Sequence, residues 1–532
     1  MSGFNDAFAP NAYRLTSPLR EVYYALALRL DGKADTGRVV SQDDHVAIVS
    51  LLNRIGFLYA MPWAGSDPGD VAWALTFIDY VNSGVKATVE QVIQRTTSIF
   101  EEFDRELLGQ MGLDAKQATE MTMWIATAVQ DRLDRGPGGG AIPTEKPRDQ
   151  ADFSEMMRRI LGVTLDDLAA RFGPDAADAF WCAFVSRRSP SARTRYYTQQ
   201  NPIESSPLIE IKPGLALVVS ANQIFNAVTS TCWESIRRTD AVDRAYRRRD
   251  KYAEDKADEL CRRLANGKAK VYRGPSESPS GAYEHDLVVT WEASVAIIEV
   301  KASRIREPLR DPDRALPRIR DDFRSESGIE GGMRQAKRVI DRLDSGKPVR
   351  MYERTSGAEV AVLDPSELKY RYACVLTFEH FGPLESSMEL LLDPDLAPLR
   401  PWAMNLYDFE TLIGGFESRG WGVAKFFRYL QERKTVAGGR IFIDEEIEMG
   451  GWFLRYGTLQ EVMDIAERGD RATVLPGASF VFDELYLARK QGRNPRRGHD
   501  IPTSEFLVTE RDRPQIEQAL GEFERFLRSG DT

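Results

Sequence analysis

The stretch His285-Asp286-Leu287-Val288-Val289-Thr290-Trp291-Glu292-Ala293-Ser294-Val295-Ala296-Ile297-Ile298-Glu299-Val300-Lys301 holds two apolar, β-branched runs, Leu287–Trp291 and Val295–Val300, that meet across a tight loop. Runs of this kind read as two strands of a hairpin. With the loop centred on Glu292-Ala293, Asp286 falls across from Glu299, give or take one residue of register. Glu299 and Lys301 are two apart and point to one face of their strand, while Val300 points to the other. Two carboxylates and an ammonium thus converge at one edge of an apolar sheet, which is costly unless they bind something.

Phosphodiester hydrolysis is the chemistry that fits. Paired carboxylates suit Mg²⁺, which keeps several waters and uses few protein groups. Such an ion polarises the phosphoryl oxygen and helps deprotonate a water, and a neighbouring lysine positions that water or stabilises charge building on the phosphate.

Outward from the hairpin, a long charged helix is predicted over Arg237–Leu264, another helix over Gly332–Leu343, and strands over Tyr372–Phe378 and Trp402–Leu406. Helix, hairpin, helix and strand in that order predict an α/β core whose central strands are buried on both faces. Farther upstream, Leu208–Lys212 reads as a strand stopped by Pro213-Gly214. Apolar residues three and four apart predict helices from about Leu19 to Leu133 and from Phe153 to Val185. Gly136–Gln150 (GPGGGAIPTEKPRDQ) breaks every pattern and reads as a linker.

The spacing of Asp286, twelve intervening residues, then Glu299-Val300-Lys301 resembles the signature of the PD-(D/E)XK, or restriction-endonuclease-like, phosphodiesterases. Tyr252-Ala253-Glu254, with Ala257, Cys261 and Leu264 on the same helical face, looks like the glutamate element that often precedes the hairpin in that superfamily. Gly332-Met333-Arg334-Gln335-Ala336 looks like its glutamine-bearing helix. His285 stands where the motif's name has proline. The resemblance covers Arg237–Leu412 and implies an α/β, restriction-endonuclease-like core, a central mixed β-sheet flanked by helices. It also implies that Asp286, Glu299 and Glu254 hold Mg²⁺, with Mn²⁺ able to substitute, that Lys301 serves the attacking water, and that Gln335 completes the catalytic set.

On that basis residues 1–135 are expected to form a helical N-terminal domain, 136–150 a linker, 151–236 a helical and mixed connecting region, 237–415 the nuclease-like domain, and 416–532 a mixed α/β extension. The function implied is that of a Mg²⁺-dependent endodeoxyribonuclease acting on DNA, with a bacterial restriction or phage-defence effector as its setting by analogy. A catalytically impaired nucleic-acid-binding scaffold and an RNA nuclease remain open at this level. The helical N-terminal region is a candidate surface for self-association or a partner protein.

Bare Glu-x-Lys triplets also occur at Glu210-Lys212, Glu254-Lys256, Glu367-Lys369 and Glu432-Lys434. Only Glu299-Lys301 has an aspartate-led strand and suitable flanking helices. Gly331-Gly332 and Gly136–Gly140 lack the Lys-Ser or Lys-Thr of a phosphate loop, which predicts no nucleotide triphosphatase. His285 reads as a hydrogen-bonded structural histidine, and His45, His380 and His499 as isolated residues that support no metal cluster.

Bulk composition restricts the setting. The 532 residues carry 71 Lys and Arg against 81 Asp and Glu, a formal net charge of -10, which argues against a wholly basic nucleic-acid coat protein. Phosphate attraction would then come from local runs such as Arg244–Arg249, Arg304 with Arg306, and Arg493–Arg497. Cys182, Cys232, Cys261 and Cys374 lie too far apart for a zinc ribbon, and read as thiols in a reducing compartment. The first residues lack a basic-then-apolar leader and no run of 18 apolar residues occurs, so a cytoplasmic protein without membrane spans is expected.

Overall fold

Helix α1 (Val242–Ala265) leads into strand β1 (Lys270–Arg273), followed by the hairpin strands β2 (Leu287–Trp291) and β3 (Ser294–Lys301). These come from a computed structural model that describes residues 18–31, 41–60, 87–135, 150–189, 194, 201–302, 312–436, 441–443, 445–468, 472–474, 477–495 and 507–509. The hairpin closes through a two-residue turn whose first residue, Glu292, has φ +46°, as a tight connection between twisted strands demands. Pairing runs from Leu287↔Ile298 to Trp291↔Ser294. One step beyond the ladder, Asp286 therefore arrives beside Glu299.

Helix α2 (Ile329–Asp344) returns the chain to β4 (Tyr370–Thr377), which runs parallel to β3 from Tyr370↔Ser294 to Thr377↔Lys301. Strand β5 (Trp402–Asn405) then adds parallel to β4, and β1 pairs antiparallel with β2, giving the order β5-β4-β3-β2-β1. Ser294–Glu299 of β3 are all buried, as a central strand covered on both faces should be. On α2, Gly332 packs so closely that an added Cβ would lie 2.7 Å from Val375 Cγ2. On α1, Cys261 is near enough to Cys374 to act on it electrostatically. Neighbouring strand residues face opposite ways, so α2 covers one face of the sheet and α1 the other.

Beyond β5, helices α3 (Leu406–Ser418), α4 (Val423–Val436) and α5 (Glu446–Tyr456) build an aromatic core. Trp402 meets Phe409 and Phe426 edge-on at 5.9 and 5.8 Å. Within it Arg433 and Glu446 pair at 2.9 Å, and Glu446 also accepts from Trp402 Nε1 at 2.9 Å and Tyr429 Oη at 2.6 Å. Every polar group of that buried cluster has a partner, the condition under which burying charge is tolerated. An antiparallel sheet joins Pro275–Ser276, Val349–Glu353 and Glu359–Leu363, and a small mixed sheet joins Ile441–Ile443, Ala472–Val474 and Leu507–Thr509.

The chain divides into two compact units, and the division falls inside α1, between Tyr252 and Ala253. Residues 253–532 belong to the larger unit. In the smaller unit the expected helices are present at Val89–Phe100 and Ala115–Arg135, and a further helix spans Ala221–Arg237. A four-stranded sheet in the order Gly162–Thr164, Leu215–Val218, Leu208–Lys212, Val185–Ser186 accompanies them.

The predicted helical stretch Phe153–Val185 is thus interrupted. Gly162 approaches Arg158 O so closely that a Cβ would sit 2.2 Å away, and Thr164 leaves the helical conformation to cap the next helix through Asp167 N. The long charged helix begins at Val242 rather than Arg237, which ends the preceding helix. Of the predicted linker, residues 136–149 lie outside the described residues. Among the described residues, no helix is long and apolar enough to cross a membrane.

Candidate active site

Asp286 sits at the entrance to β2, and its Oδ2 accepts a 2.7 Å hydrogen bond from Val300 N on β3. This clamp fixes the carboxylate against the strand that carries Glu299 and Lys301. Burial lifts the Asp286 carboxyl, the negative charge of Glu299 lifts it further, and the Val300 N–H and Lys301 only partly offset them, so it is pushed up to about 7. Glu254, at the start of the larger unit on α1, also pushes it upward. A carboxyl raised in this way has less positive charge beside it than its burial and its neighbours demand.

Glu299 is 2% exposed and accepts through Oε1 from His285 Nδ1 at 2.6 Å. On its other side His285 Nε2 meets Glu277 Oε1 at 3.1 Å, and Glu277 Oε2 accepts from Arg342 at 2.8 Å. His285 is fully buried, and burial alone would lower its pKa. The bonds to Glu277 and Glu299 outweigh that cost and push the imidazole up to about 9, so it sits between them as a cation.

Lys301 donates from Nζ to Gln335 Oε1 at 2.6 Å. The approach of α2 that permits this bond depends on Gly332, whose absent Cβ would lie 3.0 Å from Lys301 Cε and 3.2 Å from Glu299 Cβ. Gly332 is therefore the packing device that brings the helix onto the Glu-x-Lys strand, while Gly331 lies against Glu326 O, where a Cβ would sit 2.3 Å away.

The fold thus brings together Asp286, Glu299, Lys301 and Gln335, the last by a direct bond to Lys301. Glu254 is exposed on α1, and its charge acts on Asp286. Asp286, Glu299 and Glu254 do not form a set with ligand atoms all within 4.8 Å of one another; among the described residues such a set occurs at His380, Asp408 and Glu445. Mg²⁺ does not require one, since it takes one or two carboxylates and completes its shell with water. Asp286 commits Oδ2 to Val300 and Glu299 commits Oε1 to His285. The second oxygen of each has no hydrogen-bond partner among the described residues. Two uncommitted carboxylate oxygens, one of them on a carboxyl raised by burial and by the neighbouring glutamate, fit a hard divalent cation.

Glu277 is the site residue that sequence reasoning missed. It lies eight positions before His285, outside the hairpin, and nothing in its local spelling links it to Glu299. His285 carries the expected structural role, but its partner is the candidate metal-binding glutamate itself.

The isolated reading of His380 is corrected. The C-terminal ends of β4 and β5 lie side by side, and His380 just past β4 meets Asp408 on α3 and Glu445 before α5, with His380 Nε2 3.8 Å from Asp408 Oδ2 and 4.0 Å from Glu445 Oε2. Gly382 N donates to His380 Nδ1 at 3.0 Å, which leaves the neutral ring's proton on Nε2, facing the carboxylates. A metal-binding histidine places its proton on the other nitrogen and donates it outward. The cluster has the spacing of a cation site with the wrong tautomer for one.

Three arginines of the expected phosphate-tracking runs are paired with carboxylates. Arg244 bonds Glu106 at 2.6 Å and Arg248 bonds Glu101 at 2.7 Å, while Arg493 pairs with Glu484 at 2.5 Å. Arg304, Arg306, Arg496 and Arg497 lie outside the described residues. The decoy Glu210 accepts from Trp181 Nε1 at 3.2 Å and pairs with Arg187 at 3.2 Å, a structural role in the smaller unit.

No protein-family model, no curated protein and no solved structure matches the chain.

Proposed function

We propose that the chain is a metal-dependent nuclease that hydrolyses phosphodiester bonds in DNA, with a restriction-endonuclease-like core around β1–β5. The single observation that carries this proposal is the end of the hairpin. There Asp286 and Glu299 each keep an uncommitted carboxylate oxygen, and Lys301 stands two residues from Glu299 on the same strand face. The order α1, β1, β2, β3, α2, β4 around that point supports the same reading, although fold alone does not fix function.

A Mg²⁺ ion held by Asp286 and Glu299 would polarise the scissile phosphate and acidify a water. The chain's own residues divide the remaining work. Asp286, fixed by the Val300 N–H, and Glu299, fixed by His285, hold their carboxylates in one orientation before substrate arrives. Lys301, steered by Gln335, directs its ammonium toward the attacking water or a phosphate oxygen. Glu254 adds negative field at the same edge.

The test is a substrate panel. Purified full-length chain is incubated with supercoiled, linear and single-stranded DNA and with RNA, under Mg²⁺, Mn²⁺ or EDTA. Cleavage of DNA that requires the divalent ion is expected. Cleavage that persists in EDTA contradicts the proposal, and cleavage confined to RNA reassigns the substrate.

A further inference from the structure

Glu299 and Lys301 face the same helix, and α2 reaches both. Gln335 takes Lys301 directly at 2.6 Å. Three and seven residues on, Arg338 and Arg342 lie on the same side of α2. They converge on Glu277, with Arg342 Nη1 2.8 Å from Glu277 Oε2 and Arg338 Nε 3.8 Å from Glu277 Oε1. Glu277, 5% exposed in its side chain, passes the contact to His285, and His285 passes it to Glu299 at 2.6 Å.

We propose that Glu277 and His285 are positioning residues for the metal-binding carboxylate, a chain Arg342–Glu277–His285–Glu299 through which one face of α2 sets Glu299 while its Gln335 sets Lys301. This inference rests on the nuclease reading of the same site and extends it from His285 to Glu277 and the α2 arginines behind it. A glutamate with a flexible side chain holds an ion well only if its own orientation is determined beforehand. Here a buried ring supplies that determination, and a second carboxylate with two arginines behind it keeps the ring from turning. Neither residue is placed as a ligand of the ion, so a substitution at either acts on metal binding through Glu299.

Mn²⁺ affinity of the full chain, measured by calorimetric titration at one pH with melting temperatures alongside, tests this. The variants are His285→Ala, His285→Asn, Glu277→Ala and Glu277→Gln. His285→Ala and Glu277→Ala are expected to weaken Mn²⁺ binding roughly 10-fold to 100-fold. His285→Asn keeps a donor near the place of Nδ1 and is expected to recover most of the affinity. Glu277→Gln keeps an acceptor for the ring and is expected to fall between wild type and Glu277→Ala, so it still reads out the chain if an alanine variant does not fold. Folded alanine variants with wild-type affinity overturn the positioning role while leaving the nuclease reading intact. A wild-type chain that takes up no Mn²⁺ overturns both.

Discussion

Lys301 Nζ and Gln335 Oε1 lie 2.6 Å apart, an ammonium on a central strand held by an amide from the helix that covers it. Losing the amide frees the lysine to sample other rotamers without touching the carboxylates. Gln335→Ala is therefore expected to lower kcat roughly 10-fold to 100-fold with unchanged Mn²⁺ affinity. Single-turnover cleavage beside a metal titration separates the two quantities. An equal loss in both would mean that Gln335 serves the metal.

Gly332 allows α2 to touch the Glu-x-Lys strand. Gly332→Ala places a methyl 2.7 Å from Val375 Cγ2 and 3.0 Å from Lys301 Cε, and is expected to cost about 1–3 kcal/mol as an overpacked contact and to reduce cleavage. Gly414, inside α3, has no atom within 4 Å of its missing Cβ, so Gly414→Ala is expected to stabilise by about 0.5–1 kcal/mol through helix propensity. Chemical denaturation of the pair checks the contrast. Equal responses would show that α2 does not approach as described.

Asp408 supplies a pH signature away from the nuclease site. Burial lifts its carboxyl to about 7, and Glu445 and Glu385 add to that rise. The native state then keeps a proton that the unfolded chain releases near the ordinary carboxylate value. The stability this group contributes is complete below that value and is lost as pH rises through about 7. Asp408→Asn removes the loss, so its stability relative to wild type is expected to improve from pH 5 to pH 8, by on the order of 1–3 kcal/mol. A difference independent of pH would contradict the buried-acid description.

Glu446 balances Arg433 and also takes hydrogen bonds from Trp402 and Tyr429. Glu446→Ala strands a buried guanidinium and two donors, and is expected to cost about 3–5 kcal/mol. Urea denaturation checks it, and a cost under about 1 kcal/mol would mean that water replaces the carboxylate.

The hairpin was legible in sequence because two properties coincide there. Periodicity of two and a β-branched run mark β2 and β3, and the tight turn fixes register to one residue, which is enough to put Asp286 beside Glu299. Helix α2 and strand β4 were legible for similar reasons. Short, mixed-polarity strands were not: Lys270–Arg273 has two exposed residues out of four, and its pairing with β2 is set by tertiary packing. Glu277 and the His380–Asp408–Glu445 group were hidden for another reason. Each contact joins residues from separate elements, and periodicity carries no information about which strand ends lie side by side. The local charge of the basic runs likewise gave no sign that Glu101 and Glu106, far upstream, would pair with Arg248 and Arg244.

The central claim is that Glu299 holds the ion while Lys301 acts on the reacting atoms. Wild type, Glu299→Ala and Lys301→Ala should be compared for Mn²⁺ uptake and for cleavage of plasmid DNA in one buffer. Wild type is expected to bind and cleave, and Glu299→Ala to lose both. Lys301→Ala is expected to keep its Mn²⁺ while cleavage falls by roughly two to three orders of magnitude. Undiminished cleavage by Glu299→Ala, or wild-type activity in Lys301→Ala, would contradict the claim.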